Sequence, residues 1–180
     1  MRKLILVFAS VIALSSAHAQ TGKNQVGVAL EVGLPMGDFG DAFKTGFGGS
    51  LKYLHGVGSA GQVSLTSGYT TFSAKDVPSD YSVKASIIPI LVGYRHNFSG
   101  AYVEPQVGYG IYGSKVKGGG FDESSSDGAF TWAIGLGYAM EQGLDIGARY
   151  QSASKDGSTT SLVGLHIGYN FSLGGASSSK

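Results

Sequence analysis

The feature that most constrains this chain is an alternation of period two that recurs along it and always puts the bulk on one side. Near the C-terminus Val163, Leu165, Ile167, Tyr169 and Phe171 share one face, while Gly164, His166, Gly168 and Asn170 share the other. Phe130, Trp132, Ile134, Leu136, Tyr138 and Met140 alternate in the same way with Thr131, Ala133, Gly135, Gly137 and Ala139. The pattern repeats from Val26 to Leu34, from Val103 to Ile111 and from Leu144 to Tyr150. Period two is the mark of a strand with two unlike faces. Weaker versions run over 46–55, 61–72 and 84–96, which gives eight candidate strands. Helical periodicity is weak, as expected with 30 glycines in 180 residues. Beyond residue 19 no apolar run is long enough for a transmembrane helix.

Alternation alone also suits a soluble sandwich, so the decision rests on what each face carries. One face is Trp, Tyr, Ile, Leu and Val; the opposite face is Gly, Ala, Ser and a few charges. Only 14% of residues are charged, against about 25% in an ordinary soluble protein. The small face is too sparsely charged to be the outer surface of a soluble barrel. The inverted arrangement fits, with bulk toward lipid and small polar groups toward the lumen. The sequence therefore predicts an all-β, eight-stranded, antiparallel up-and-down transmembrane β-barrel. Phe47, Phe130 and Trp132 fall near one end of their strands, and Tyr53, Tyr94 and Tyr138 near the other. Tyr169 and Phe171 extend the second group. Two aromatic girdles at the two membrane interfaces would be placed this way.

Connection lengths give a further check. Short connections are expected at 56–60, 97–100 and 141–143, and longer ones at 35–45, 73–83, 113–127 and 153–160. Short periplasmic turns and long external loops are the asymmetry of outer-membrane barrels. A periplasmic N-terminus puts every short turn on the periplasmic side. A two-residue turn at Ser99-Gly100 then sets Arg95 opposite Glu104 on the inner face.

The first nineteen residues read as a secretory signal peptide: Arg2 and Lys3, an uncharged apolar run from Leu4 to Leu14, then small-x-small at Ala17-His18-Ala19. Residues 20–171 are then the barrel domain, and 172–180 a flexible periplasmic tail. With no cysteine, thiol catalysis, disulfides and thiolate metal sites are excluded. A net charge of +1 offers nothing to nucleic acid.

Several motifs carry a family resemblance over essentially the whole exported part. They are Gly33-Leu34-Pro35-Met36-Gly37-Asp38-Phe39, Gly46-Phe47-Gly48-Gly49, Ile88-Pro89-Ile90-Leu91-Val92-Gly93-Tyr94, and Tyr102-Val103-Glu104-Pro105-Gln106-Val107-Gly108-Tyr109-Gly110. To these are added the Gly-Tyr steps at Gly68-Tyr69, Gly137-Tyr138 and Gly168-Tyr169. The chain resembles the small eight-stranded outer-membrane β-barrels of Gram-negative cell envelopes, the OmpA/OmpX-like or porin-family β-barrel domain proteins. Gly168-Tyr169-Asn170-Phe171 is similar to the aromatic-ended final strand of that family. The resemblance implies contact of that strand with the barrel-insertion machinery, although residues 172–180 follow Phe171 here. It also implies outer-membrane lipid as the surroundings and a monomer.

On the predicted inner face lie Glu31, Lys52, Arg95, Glu104, Asp145 and Arg149, three of each sign, together with His166. Charges in a narrow lumen are costly unless paired. Arg95 pairs with Glu104 by register; Lys52 and Asp145 lie at similar depth, and Glu31 and Arg149 lie higher. A filled lumen without a wide channel follows. In the loops, Phe39, Phe43, Phe72, Tyr81 and Phe121 are candidates for rim packing or partner contact, and Lys75, Asp76, Asp80, Lys115, Lys117, Asp122, Glu123, Asp127, Lys155 and Asp156 for solvated charge. His55 and His96 sit on the outer face near strand ends. No G-x-S-x-G, HExxH or P-loop occurs, and Asp122-Glu123 lacks the ligand spacing of an EF-hand loop. No catalytic residue, cofactor or metal is expected. The leading reading is a non-enzymatic barrel in envelope structure or surface contact through its external loops. A small-solute or ion porin and a lipid-modifying enzyme built on His166 are the alternatives.

Overall fold

The computed structural model describes residues 24–57, 60–78, 80–155 and 157–173. The expected signal peptide lies outside the described residues. Eight strands follow one another in the chain: β1 (Asn24–Met36), β2 (Gly46–Val57), β3 (Gly61–Ser73), β4 (Tyr81–Phe98), β5 (Ala101–Gly118), β6 (Phe121–Ala139), β7 (Leu144–Lys155) and β8 (Ser158–Leu173). Each pairs antiparallel with its sequence neighbour, and β1 pairs with β8 to close the barrel. The eight expected strands are present in the expected order.

The faces also fall as the alternation predicts. On the outside, Leu136 is 58% and Ile167 52% exposed, whereas Arg95 and Glu104 in the lumen are 1% and 2% exposed. A barrel turns half of every strand inward, so inner positions must be small unless a large side chain is needed there. Gly33 and Gly46 show the use of this. A Cβ at either would lie 2.8 or 2.5 Å from the ring of Phe72, so two glycines on adjacent strands make the space that this ring fills.

The ends of the barrel differ. At one end Ser99 and Gly100 form a two-residue turn with φ of 53° and 101°. That is the left-handed backbone of a tight hairpin turn, and it delivers the predicted register across β4 and β5. At the other end two expected loops turn out to be sheet. Residues 113–127 continue β5 to Gly118 and β6 from Phe121, leaving a turn at Gly119 and Gly120 with φ of 58° and 87°. Residues 153–160 likewise continue β7 and β8 and leave only 156–157. The physical reason is plain: past the lipid boundary both faces become polar, so alternation disappears while ladder pairing continues. The expected loop at 35–45 holds a short helix, α1 (Gly37–Ala42). At the C-terminus Ser172 and Leu173 belong to β8, opposite Gln25 and Asn24. The tail therefore cannot begin before residue 174, and 174–180 lie outside the described residues.

An outer face of this kind makes a direct prediction. Leu136→Arg should cost roughly 1–3 kcal/mol in a bilayer, between the midplane and interface penalties for a cation on a barrel's lipid side, since Leu136 lies two residues from Tyr138 of the girdle. Reversible urea unfolding from phospholipid vesicles measures it. An unchanged stability would contradict a lipid-facing Leu136.

Candidate functional site

The lumen is built in two layers. At the end carrying the Ser99-Gly100 turn, inner positions of four strands, β2 to β5, converge on Glu104. Its Oε1 accepts hydrogen bonds from Ser64 Oγ (2.6 Å) and Gln106 Nε2 (2.9 Å). Its Oε2 accepts from Lys52 Nζ (2.8 Å) and from Arg95 Nε (3.1 Å) and Nη2 (2.9 Å). The third guanidinium nitrogen, Nη1, donates to Asp145 Oδ2 at 2.9 Å. Arg95 thus forks between two carboxylates, which its planar set of donors suits. Asp145 also accepts from Asn170 Nδ2 (3.0 Å) and Tyr102 Oη (2.7 Å). The Tyr102 ring lies 3.6 Å from the Arg95 guanidinium carbon, in cation–π contact. His166 Nε2 is 3.1 Å from Tyr102 Oη and 3.3 Å from Asp145 Oδ1.

Arg149 Nη2 meets Glu31 at 3.1 and 3.3 Å and forms a separate pair. Together the two groups hold three cations and three carboxylates, so the buried charge cancels locally. The structure thus brings all seven predicted luminal residues into two groups around one residual space. Lys52 and Asp145 do not meet; each approaches the central Arg95–Glu104 pair from its own side. A residual cavity of about 30 Å³ lies among Glu31, Lys52, Glu104, Asp145, Arg149 and His166. That is room for about two waters.

The second layer is apolar and closes the other end. Phe72, Ala85, Ile87 and Leu162 form a buried cluster against which Phe39, Phe43 and Tyr112 pack. Phe39 lies 4.9 Å from Phe43 and 5.1 Å from Phe72 between ring centroids. These aromatics sit inside the mouth, not on an exposed rim. α1 supplies Phe39, and Lys75 holds it there: its backbone N–H donates to Ala42 O (2.9 Å) and its Nζ to Gly40 O (2.6 Å).

The predicted girdle residues all project outward. Phe47, Phe130 and Trp132 lie toward the extended end, and Tyr53, Tyr94, Tyr138, Tyr169 and Phe171 toward the turn end. Tyr69 and Tyr109 join the first group, and Tyr150 packs against Trp132 with tilted rings 5.5 Å apart. His96 packs outward against Phe98 at 4.6 Å, and His55 Nδ1 meets Asn24 Oδ1 at 2.7 Å. Among loop charges, Asp127 pairs with Lys155 at 2.6 Å, and Asp122 with Lys117 at 3.2 Å and Lys115 at 3.4 Å. Hydrogen bonding from Lys117, then Lys115, holds the Asp122 carboxyl below its ordinary range. Tyr81 is exposed; the Phe121 side chain and Asp156 lie outside the described residues.

With this geometry in place, comparison with known proteins is decisive for the family. The family model of the outer membrane protein beta-barrel domain matches residues 4–171. The chain belongs to that family. No curated protein matches it in sequence. Ail, the attachment invasion locus protein of Yersinia pestis, solved with the heparin analogue sucrose octasulfate, is similar with a TM-score of 0.67 at 18% identity, covering 84% of this chain and all of Ail. Neisserial surface protein A is similar with a TM-score of 0.59 at 17% identity, over 86% of this chain and all of that one. The N-terminal barrel domain of Pseudomonas aeruginosa OprF gives 0.60 at 15% identity, over 84% of this chain and all of the domain. These likenesses show the shared barrel fold. As a member of this family, the protein is an outer-membrane β-barrel.

Sequence reasoning gave Tyr102 no role in the lumen and placed Phe72 among the rim candidates, whereas both are buried inside the barrel. Tyr102 stood on the inner face of its strand, a signal that a large residue there needs a polar partner. Phe72 offered a similar one, as bulk at an inner position of β3. The cluster yields a prediction: Arg95→Ala leaves Asp145 buried without its guanidinium partner and Glu104 with Lys52 alone, and should cost about 3–5 kcal/mol. Urea unfolding with the variant Arg95→Ala/Glu104→Gln beside it checks this. A loss below about 1 kcal/mol for Arg95→Ala would contradict the ionic core described above.

Proposed function

We propose that this protein is a non-conducting, non-enzymatic barrel of the outer membrane whose extended end faces outward and makes surface contacts. The observation that carries the reading is how the molecule is divided along its axis. The lumen is filled by the ionic cluster and sealed by the Phe72 cluster, whereas β4, β5 and β6 continue past it as a sheet. On the β7 side, residues 122–128 of β6 have no strand partner among the described residues. An open strand edge offers unpaired backbone groups to an extended segment of another protein. That makes the protruding sheet, not the lumen, the accessible surface. The aromatic residues at the two ends serve as interfacial girdles in this reading, and Phe171 on β8 as the contact with the insertion machinery.

The porin reading is disfavoured by the packing, since a residual space for about two waters is no path for solutes. The enzyme reading is disfavoured by the geometry around His166. In a catalytic relay the orienting acid and the nucleophile address opposite ring nitrogens. Here Asp145 and Tyr102 both address Nε2.

Two measurements test the proposal. In planar bilayers the protein should give no steady openings; sustained large conductance would overturn the sealed lumen. Because the chain has no cysteine, Ser125→Cys and Gln142→Cys report each end alone. On intact cells an impermeant maleimide should label residue 125 and not 142. The opposite pattern would overturn the orientation.

A further inference from the structure

The outward wall of the extended sheet carries an arrangement that pairing alone does not explain. Lys84 on β4 lies directly opposite Lys115 on β5. Like charges facing each other across strands repel and are destabilising. Asp122 reaches Lys115 at 3.4 Å and Lys117 at 3.2 Å, and no ion pair or side-chain hydrogen bond engages Lys84 among the described residues. This wall therefore has three lysines and one carboxylate. The acidic residues Glu123 and Asp127 of β6 fall on the opposite face, so the sheet sorts its charges by side.

Between the lysines is a groove of about 320 Å³, lined by Tyr69, Thr71, Lys84, Ser86, Lys115 and Ser124 among others. Hydroxyls around two ammonium groups are donors suited to phosphate oxygens. Gly113 keeps the floor open: a Cβ there would lie 2.6 Å from Ser86 Oγ. Its depth is as telling. Below it the wall is apolar, with Ile88 opposite Ile111 and then Ile90 opposite Tyr109. The lysine pair stands four residues beyond the Ile88–Ile111 pair, about 13 Å along the strand at roughly 3.3 Å per residue. With a tilt of about 40° this is about 10 Å above the apolar edge, the level of lipid headgroups.

We propose that this groove binds the phosphate-bearing headgroup of an outer-leaflet glycolipid, with Lys84 and Lys115 on the phosphate and the acyl chains along the Ile88–Ile111 wall. A soluble anion would use the lysines and leave that apolar wall idle; a lipid uses both. The inference rests on the extended end facing outward. Its test does not depend on cell orientation, so the two can fail separately.

The full chain is refolded into phosphatidylcholine nanodiscs containing a bis-phosphorylated lipid A, and lipid retained after transfer to detergent is read by native mass spectrometry. Wild type should retain lipid A. Lys84→Gln/Lys115→Gln should retain about ten-fold less, given two lysines near a charged surface. Gly113→Leu, which fills the groove and keeps both lysines, should lose retention as well. Lys155→Gln, which removes a charge from the other face, should behave as wild type. Heat-dependent gel migration verifies that each variant is folded. Undiminished retention by the double variant or by Gly113→Leu, or equal retention of dephosphorylated lipid A, would overturn the proposal. So would displacement by inorganic phosphate or by a soluble sulfated oligosaccharide, since either assigns the lysines to a soluble anion.

Discussion

A backbone that crosses hydrocarbon has no water to satisfy its N–H and C=O groups, and each group left open there costs several kcal/mol. A sheet meets this requirement only by closing on itself. In this protein the closure is the β1–β8 ladder, which runs from Asn24 opposite Leu173 to Met36 opposite Ser161. Once the ring is closed, strand alternation fixes everything else. Outward positions meet lipid and become Leu, Ile, Val and aromatics. Inward positions meet one another in a space just wide enough for side chains.

That narrow interior explains its chemistry. Eight strands leave an interior just wide enough for side chains to fill, so a charge placed inside loses much of its water and must find a countercharge. Arg95 answers this by dividing its guanidinium between Glu104 and Asp145, while Lys52, Ser64, Gln106, Asn170 and Tyr102 complete the two carboxylates. Farther along the axis the packing turns apolar around Phe72, whose ring the glycines at 33 and 46 admit. A polar lock and an apolar seal thus stand in series.

The strand order, the facing of each strand and the Arg95–Glu104 pair were legible in the sequence, because each follows from period two and from one tight turn whose length fixes its register. The rest of the cluster was not. Lys52 reaches Glu104 from β2 and Asp145 reaches Arg95 from β7, contacts across the lumen that depend on barrel closure and not on any local spacing. The extended β5–β6 hairpin was hidden for a different reason. Lys115, Lys117, Ser124 and Ser126 share a face without bulk, so a paired strand there reads as a loop. Phe72 was visible as an aromatic residue, but its inward direction depends on the glycines opposite it on two other strands.

The most direct measurement of which side meets lipid is the accessibility of single nitroxide labels to oxygen and to a water-soluble nickel chelate. Labels are attached at cysteines replacing Leu30, Leu136 and Ile167 outside and Gln106 and Gln151 inside, in a refolded chain in bilayers. Outward sites should be open to oxygen and closed to nickel, and inward sites closed to both. Nickel contact at 136 and 167 as strong as at an exposed loop would contradict the inverted barrel.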